Sequence, residues 1–174
     1  MHRTLEARVQ EWGGRRHTLI DNVEKLSPER LVAKPLPGKW SVIEIVEHLV
    51  RADRDVLQDL PSPADLVDRR RGLKDRVRYP LVMFVLACHI PAKVPSPRML
   101  PQGGAALPDL RRQWEEMHQW LRSYAEGLDR HALTRAVFAH PIAGPLTLEQ
   151  ALHMGGLHLA THSRQIRRLE SLTN

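Results

Sequence analysis

The chain has 174 residues, 42% of them apolar and 26% charged, which is enough to enclose a hydrophobic core and too apolar for a disordered chain. No apolar run approaches the roughly 20 residues that span a bilayer, the polar start MHRTLEARVQEW lacks the apolar stretch of a secretory signal, and a lone cysteine, Cys88, excludes an internal disulfide framework. The net charge of +6 raises nucleic acid as a partner, yet aromatic residues make up only 5%, and the one dense basic run, Arg69-Arg70-Arg71 with Lys74, Arg76 and Arg78 behind it, reads as a solvated face. The expectation is a cytoplasmic protein with one domain over residues 1–174, no membrane partner, and nucleic acid disfavoured.

Apolar residues at Leu5, Val9, Trp12, Leu19, Val23 and Leu26 predict an amphipathic helix over about 4–26. Gly13-Gly14 weakens its middle, since glycine costs roughly 1 kcal/mol against alanine. Ser27-Pro28-Glu29 has the form of a helix cap with proline at the first helical position, and Lys34-Pro35-Leu36-Pro37-Gly38 reads as a loop. Ser41 with Glu44 three residues later is a capping-box pattern. It opens a second long helix, expected to reach about residue 60, where Pro61-Ser62-Pro63 stops it. A short basic segment is expected over 64–76 and an apolar helix over 81–89, followed by a long proline-rich loop over 91–108. Pro108 stands where a helix can begin, and Leu110, Trp114, Met117, Leu121 and Leu128 mark its stripe. Residues 134–146 resemble a hairpin or extended loop, and Thr147 caps a last helix over about 148–172 with Glu149 in its first turn. Strand signals are nearly absent, so the expected class is all-α: a bundle of about four long helices with short accessory helices.

The last helix carries the strongest chemical signal. His158 and His162 are four residues apart and share one face, on a stripe with Ala151, Gly155, Ile166 and Leu169 that should meet the core. Two imidazoles so spaced can place nitrogens on one metal, about 2.0–2.1 Å from zinc. Leu159 stands where a zincin protease would have its glutamate, so that reading fails. The competing reading is a pair of packed boundary histidines. Gly155 and Ala151 clear space beside His158, and Gln165 could orient a ligand from one turn beyond His162. On the second helix, His48 lies at the edge of the face formed by Val42, Ile45, Val46, Leu49, Val56, Leu57 and Leu60. A lone histidine there is as a rule structural, but it can also reach across a bundle interior as a third ligand.

Glu44, one turn before His48, is a weak candidate for a catalytic base and an equally good capping-box residue; Asp55 is weaker still. His153 should point away from the pair, His140 suits a turn, and His2, His17, His89, His118 and His131 show no partner spacing. Cys88 reads as a small buried residue.

The stretch Gly38-Lys39-Trp40-Ser41-Val42-Ile43-Glu44-Ile45-Val46-Glu47-His48-Leu49 resembles the W-S-x-x-E-x-x-x-H-L helix start of the DinB/YfiT-like metalloenzyme superfamily. His140-Pro141, Gly144, Thr147 and the run from His158 through His162 to Gln165-Ile166 resemble its closing pattern, H-P…G…T…H-x-x-x-H-x-x-Q-I. Both ends agree in order and spacing, while residues 61–108 match nothing specific. The resemblance implies a four-helix bundle of up-down-down-up topology. It also implies one divalent metal, nickel or zinc, on three histidines matching His48, His158 and His162, with open positions for water. Some members are bacillithiol-dependent transferases, and another is a mycothiol-dependent maleylpyruvate isomerase. A low-molecular-weight thiol is therefore an implied cofactor, although nothing in this sequence identifies one.

The functional expectation is a divalent-metal-binding protein, a metal-dependent enzyme of thiol S-transferase or hydrolase type acting on a small-molecule substrate. The alternative is a non-catalytic metal- or partner-binding helical module. A homodimer is compatible with the helix faces, although no residue singles out an interface.

Overall fold

In chain order the elements are α1 (Arg3–Val23), the short α2 (Pro28–Val32), α3 (Val42–Leu57), α4 (Leu73–Ala87), α5 (Leu107–Glu126), a hairpin of β1 (Phe138–His140) and β2 (Gly144–Leu146), and α6 (Leu148–Leu172). The computed structural model describes residues 3–66, 72–90 and 93–172, so Arg69, Arg70 and Arg71 lie outside the described residues. No described helix is long and apolar enough to cross a membrane.

Local chemistry sets the helix starts. At α3 the Ser41 hydroxyl accepts from the Glu44 amide at 3.4 Å while the Glu44 carboxylate accepts from the Ser41 amide at 2.8 Å, so two otherwise orphaned donors are satisfied together. The same device opens α6, where Thr147 Oγ1 accepts from the Gln150 amide and Gln150 Oε1 from the Thr147 amide. The box partner is thus Gln150, one residue beyond the acidic Glu149. Pro108 sits in the first turn of α5, where a missing N–H costs nothing.

Two core clusters fix how the long helices run. One joins Leu19, Ile20 and Val23 late in α1, Val42 to Val50 early in α3, Leu107 to Trp114 early in α5, and Leu159 to Leu169 late in α6. The other joins Leu5 to Trp12 early in α1, Leu57 at the end of α3, Leu121 to Ala125 late in α5, and Leu148 and Leu152 early in α6. Helices α1 and α6 therefore run one way while α3 and α5 run the other, which is the up-down-down-up order. Gly13 lets α1 and α5 approach closely, because a Cβ there would fall 2.2 Å from the His118 ring.

The middle of the chain departs from the sequence reading. Residues 67–71 of the basic segment expected over 64–76 lie outside the described residues. Pro63–Asp65 forms a single 3-10 turn, and α4 begins at Leu73 and takes in the apolar stretch expected over 81–89. Helix α4 lies outside the four-helix core, packing Tyr79, Val82, Met83 and Leu86 against the hairpin and α6. Cys88 is consequently exposed rather than buried, because its stretch of helix has only one covered side. The hairpin turns at Gly144, which has φ +75° and no room for a side chain, since a Cβ would meet the Asp75 carboxylate carbon at 2.5 Å.

Candidate metal centre

His48 on α3 and His158 and His162 on α6 converge in the half of the bundle that holds the first core cluster. The His158 Nε2 lies 3.1 Å from that of His162 and 3.3 Å from that of His48, and one nitrogen from each ring falls within 4.8 Å of the others. Geometry gives these separations meaning. Ligand nitrogens about 2.1 Å from a shared ion stand about 3.0 Å apart at the corners of an octahedron and about 3.4 Å apart in a tetrahedron.

The proton positions point the same way. His48 Nδ1–H donates to the Met99 carbonyl at 2.8 Å, and His162 Nδ1–H donates to Gln165 Oε1 at 3.0 Å. Both rings therefore present an unprotonated Nε2 to the common point. A proton on His158 Nε2 can be aimed at one of them but not both. The three nitrogens cannot satisfy one another, whereas a cation at their centre satisfies all three.

Electrostatics keep the rings neutral. Burial, then repulsion from His162, His48 and Arg16, holds His158 well below the usual histidine value. Burial and the neighbouring His48 lower His162 to about 4 against the Gln165 hydrogen bond. His48 is lowered by burial, opposed by the Met99 hydrogen bond and the charge of Asp53. Neutral imidazole is the form that ligates metals.

The sequence left the proline-rich loop unread, and the structure gives it work. Glu47, 5% exposed, accepts from the backbone amides of Gln102 and Gly103 at 2.9 and 3.0 Å. Arg51 donates to the Arg98 carbonyl and to Gln102 Oε1, and Arg98 pairs with Asp55 at 2.7 Å. These contacts stitch the 3-10 turn Pro97–Met99 onto α3, and so deliver the Met99 carbonyl to His48. Trp40 covers another side of the same ring, with centroids 4.8 Å apart.

A second polar group beneath the triad also escaped the sequence reading. Arg16, 3% exposed, donates to both oxygens of Asp53 at 2.5 and 2.7 Å and to the Trp12 carbonyl at 3.0 Å. Its guanidinium lies 3.7 Å over the Trp12 ring, and Trp114 donates to the same carboxylate at 2.9 Å. Gly155, expected to make room for His158, faces this guanidinium and Trp12 instead, each 3.7 Å from where its Cβ would be, an ordinary contact distance. The signal was present in the sequence: Arg16 interrupts the apolar stripe of α1 at helical spacing and Asp53 that of α3, one charge of each sign.

The other candidates fall away from the triad. The Glu44 carboxylate serves the Ser41 cap and Lys34 Nζ, 2.7 Å away, which together hold it below the ordinary carboxylate range. His153 is exposed, and His140 Nδ1 accepts the Ile142 and Ala143 amides inside the turn. His89 donates to Thr161 Oγ1 from a left-handed backbone. His17 and His118 meet edge to face, 6.2 Å apart, where α1 packs on α5. A cleft of about 460 Å³ lined by Leu5, Arg130 and Leu148 lies at the opposite end of the bundle.

The sequence profile of the DinB superfamily matches residues 11–166. The chain belongs to the DinB superfamily. Comparison with curated proteins gives no match. Among solved structures, this DinB-superfamily chain resembles YfiT from Bacillus subtilis, described as a probable metal-dependent hydrolase with an unusual four-helix bundle topology. The TM-score is 0.63 at 18% identity, over 98% of this chain and 89% of YfiT. At that identity the likeness establishes the fold.

Proposed function

We propose that this protein holds one divalent metal ion on His48, His158 and His162 and acts as a metal-dependent enzyme of hydrolase or thiol S-transferase type on a small-molecule substrate. The observation that carries the reading is the convergence of three Nε2 atoms, two of them with their lone pairs aimed inward by Nδ1–H hydrogen bonds. Three imidazoles suit zinc or nickel and leave coordination positions open. An ion held there would supply Lewis acidity, lowering the pKa of a coordinated water or thiol, toward about 7 for water on zinc. The chain's own residues do the positioning: the Met99 carbonyl and Gln165 fix two ring orientations, and Trp40 excludes water from one side of His48.

The description of YfiT as a probable metal-dependent hydrolase favours the hydrolase arm. A low-molecular-weight thiol co-substrate is the narrower arm, carried by resemblance alone. A cytoplasmic setting agrees with an exposed thiol at Cys88. Nucleic acid stays disfavoured, since Arg8, Arg15, Arg111 and Arg112 are each paired with carboxylates. One observation favours the non-catalytic alternative. The α3 carboxylates of Glu44, Glu47, Asp53 and Asp55 are all engaged elsewhere, which leaves none of them free as a base beside the triad.

Metal analysis of protein purified without an affinity tag tests the site. About one equivalent of zinc or nickel, lost in His162→Ala, is expected; metal-free wild type that takes up neither ion would sink the proposal. Turnover of ester, amide or thiol-plus-electrophile substrates that chelation abolishes and added metal restores supports the enzyme. Bound metal with no turnover across the panel supports the module.

A further inference from the structure

Helix α4 is apolar on two opposite sides. Its inner side packs Tyr79, Val82, Met83 and Leu86 on the hairpin and α6. Its outer side carries Leu73, Val77, Leu81 and Phe84, which are 82, 69, 58 and 59% exposed, with the exposed Cys88 at the end of the same row. At 100° per residue these five positions fall within an arc of about 80°. A helix apolar on opposite faces, with none of its own residues fully buried, is built to be covered twice.

We propose that the outer face of α4 docks a second copy of this chain, the two helices lying antiparallel about a two-fold axis near Leu81. The row steps by 4, 4, 3 and 4 residues, the spacing of a helix–helix seam. Four large exposed side chains offer on the order of 500 Å² per copy, so a pair covers about 1,000 Å², the lower bound for a specific interface. Charge selects the orientation. Lys74, Arg76 and Arg78 are confined to the first half of α4, residues 79–90 contain no lysine or arginine, and the one acid, Asp75, is turned onto the Gly72 amide. An antiparallel pair sets each cationic half beside the negative pole at the partner's helix C-terminus. A parallel pair would place three cations against three. A membrane surface would need cations flanking the most apolar part of the row, 81–88, where there are none.

Sedimentation velocity on the full chain at about 50 µM, with Leu81→Glu/Phe84→Glu in parallel, tests the interface. The wild type is expected at twice the 19.9 kDa chain mass, and the variant at the single mass, its association weakened by roughly 100-fold. Far-UV dichroism and metal content should not change. Apolar-preserving variants cover the case in which the glutamates prevent folding. In a Cys88→Ser background, oxidised Leu81→Cys should form a covalent dimer and Leu73→Cys should not. The two copies of residue 73 would lie about 24 Å apart across the axis, far beyond disulfide reach. The proposal is overturned by a monomeric wild type, by a dimer that survives both glutamates, or by cross-linking through residue 73 in place of 81. Sedimentation of monomers with anionic vesicles would likewise overturn it in favour of a lipid surface.

Discussion

The side chains of the triad differ in what holds them, and each difference has a measurable consequence. His162 is aimed by Gln165, whose amide oxygen accepts its Nδ1–H at 3.0 Å. Gln165→Ala removes the orienting partner and leaves all three nitrogens, so metal affinity should fall by roughly 10–100-fold at unchanged stoichiometry, read by competition with a chromophoric chelator. An affinity equal to wild type would mean that packing alone fixes the ring.

Burial of the same ring makes the metal-free protein sensitive to acid. His162 titrates at about 4 in the fold and near 6.5 when unfolded, so between those values the unfolded chain binds more protons. The contribution is fully present above pH 6.5 and falls as the pH drops toward 4, by roughly 3 kcal/mol. Urea denaturation of metal-free protein at pH 7 and 4.5 should show the loss, and His162→Gln should flatten that slope; equal slopes would contradict it.

At the scale of elements, α3 does more than present His48. Its outer face binds the loop that follows α4, through Glu47 to the Gln102 and Gly103 amides and Arg51 to the Arg98 carbonyl. Glu47→Gln keeps the size but offers one acceptor oxygen in place of two, so one loop amide loses its partner. Hydrogen exchange by mass spectrometry should quicken across residues 97–104 while α5 stays protected. Because Met99 lies on that loop, metal binding should weaken too; a loop as protected as in wild type would remove Glu47 as its anchor. Residues 97–103 resisted sequence reading because their order comes from this non-local stitching. Among the described residues of 61–106, regular structure besides α4 is confined to the 3-10 turns Pro63–Asp65 and Pro97–Met99, and such contacts leave no periodicity to detect.

Across the whole molecule, the Arg16–Asp53 pair gathers all four helices of the bundle at one polar point. Arg16 comes from α1, its carboxylate partner from α3, the Trp114 donor from α5, and the helix surface at Gly155 that the guanidinium faces from α6. Removing one charge strands the other, so Arg16→Met should cost about 3–5 kcal/mol in chemical denaturation. Arg16→Met with Asp53→Leu should recover most of that, because two apolar groups need no compensation. A double variant as unstable as the single one would show that the pair is a net stabiliser rather than a device for setting helix register.

Periodicity, caps and turn residues are local properties, and the sequence determined what depends on them: the long helices, the Ser41 and Thr147 starts, the hairpin region, and the shared face of His158 and His162. Tertiary structure decided the rest. That His48 meets the pair across 110 positions of sequence, that Cys88 ends in solvent, and that Glu44 is spent on its cap all depend on which helix faces which. So does the meeting of Arg16 with Asp53: each interrupts an apolar stripe, but nothing local says that they are each other's partner. One residue's spacing to the next is fixed by the helix, whereas contact between helices is fixed by the packing of four apolar faces at once, and no single stretch of sequence contains that information.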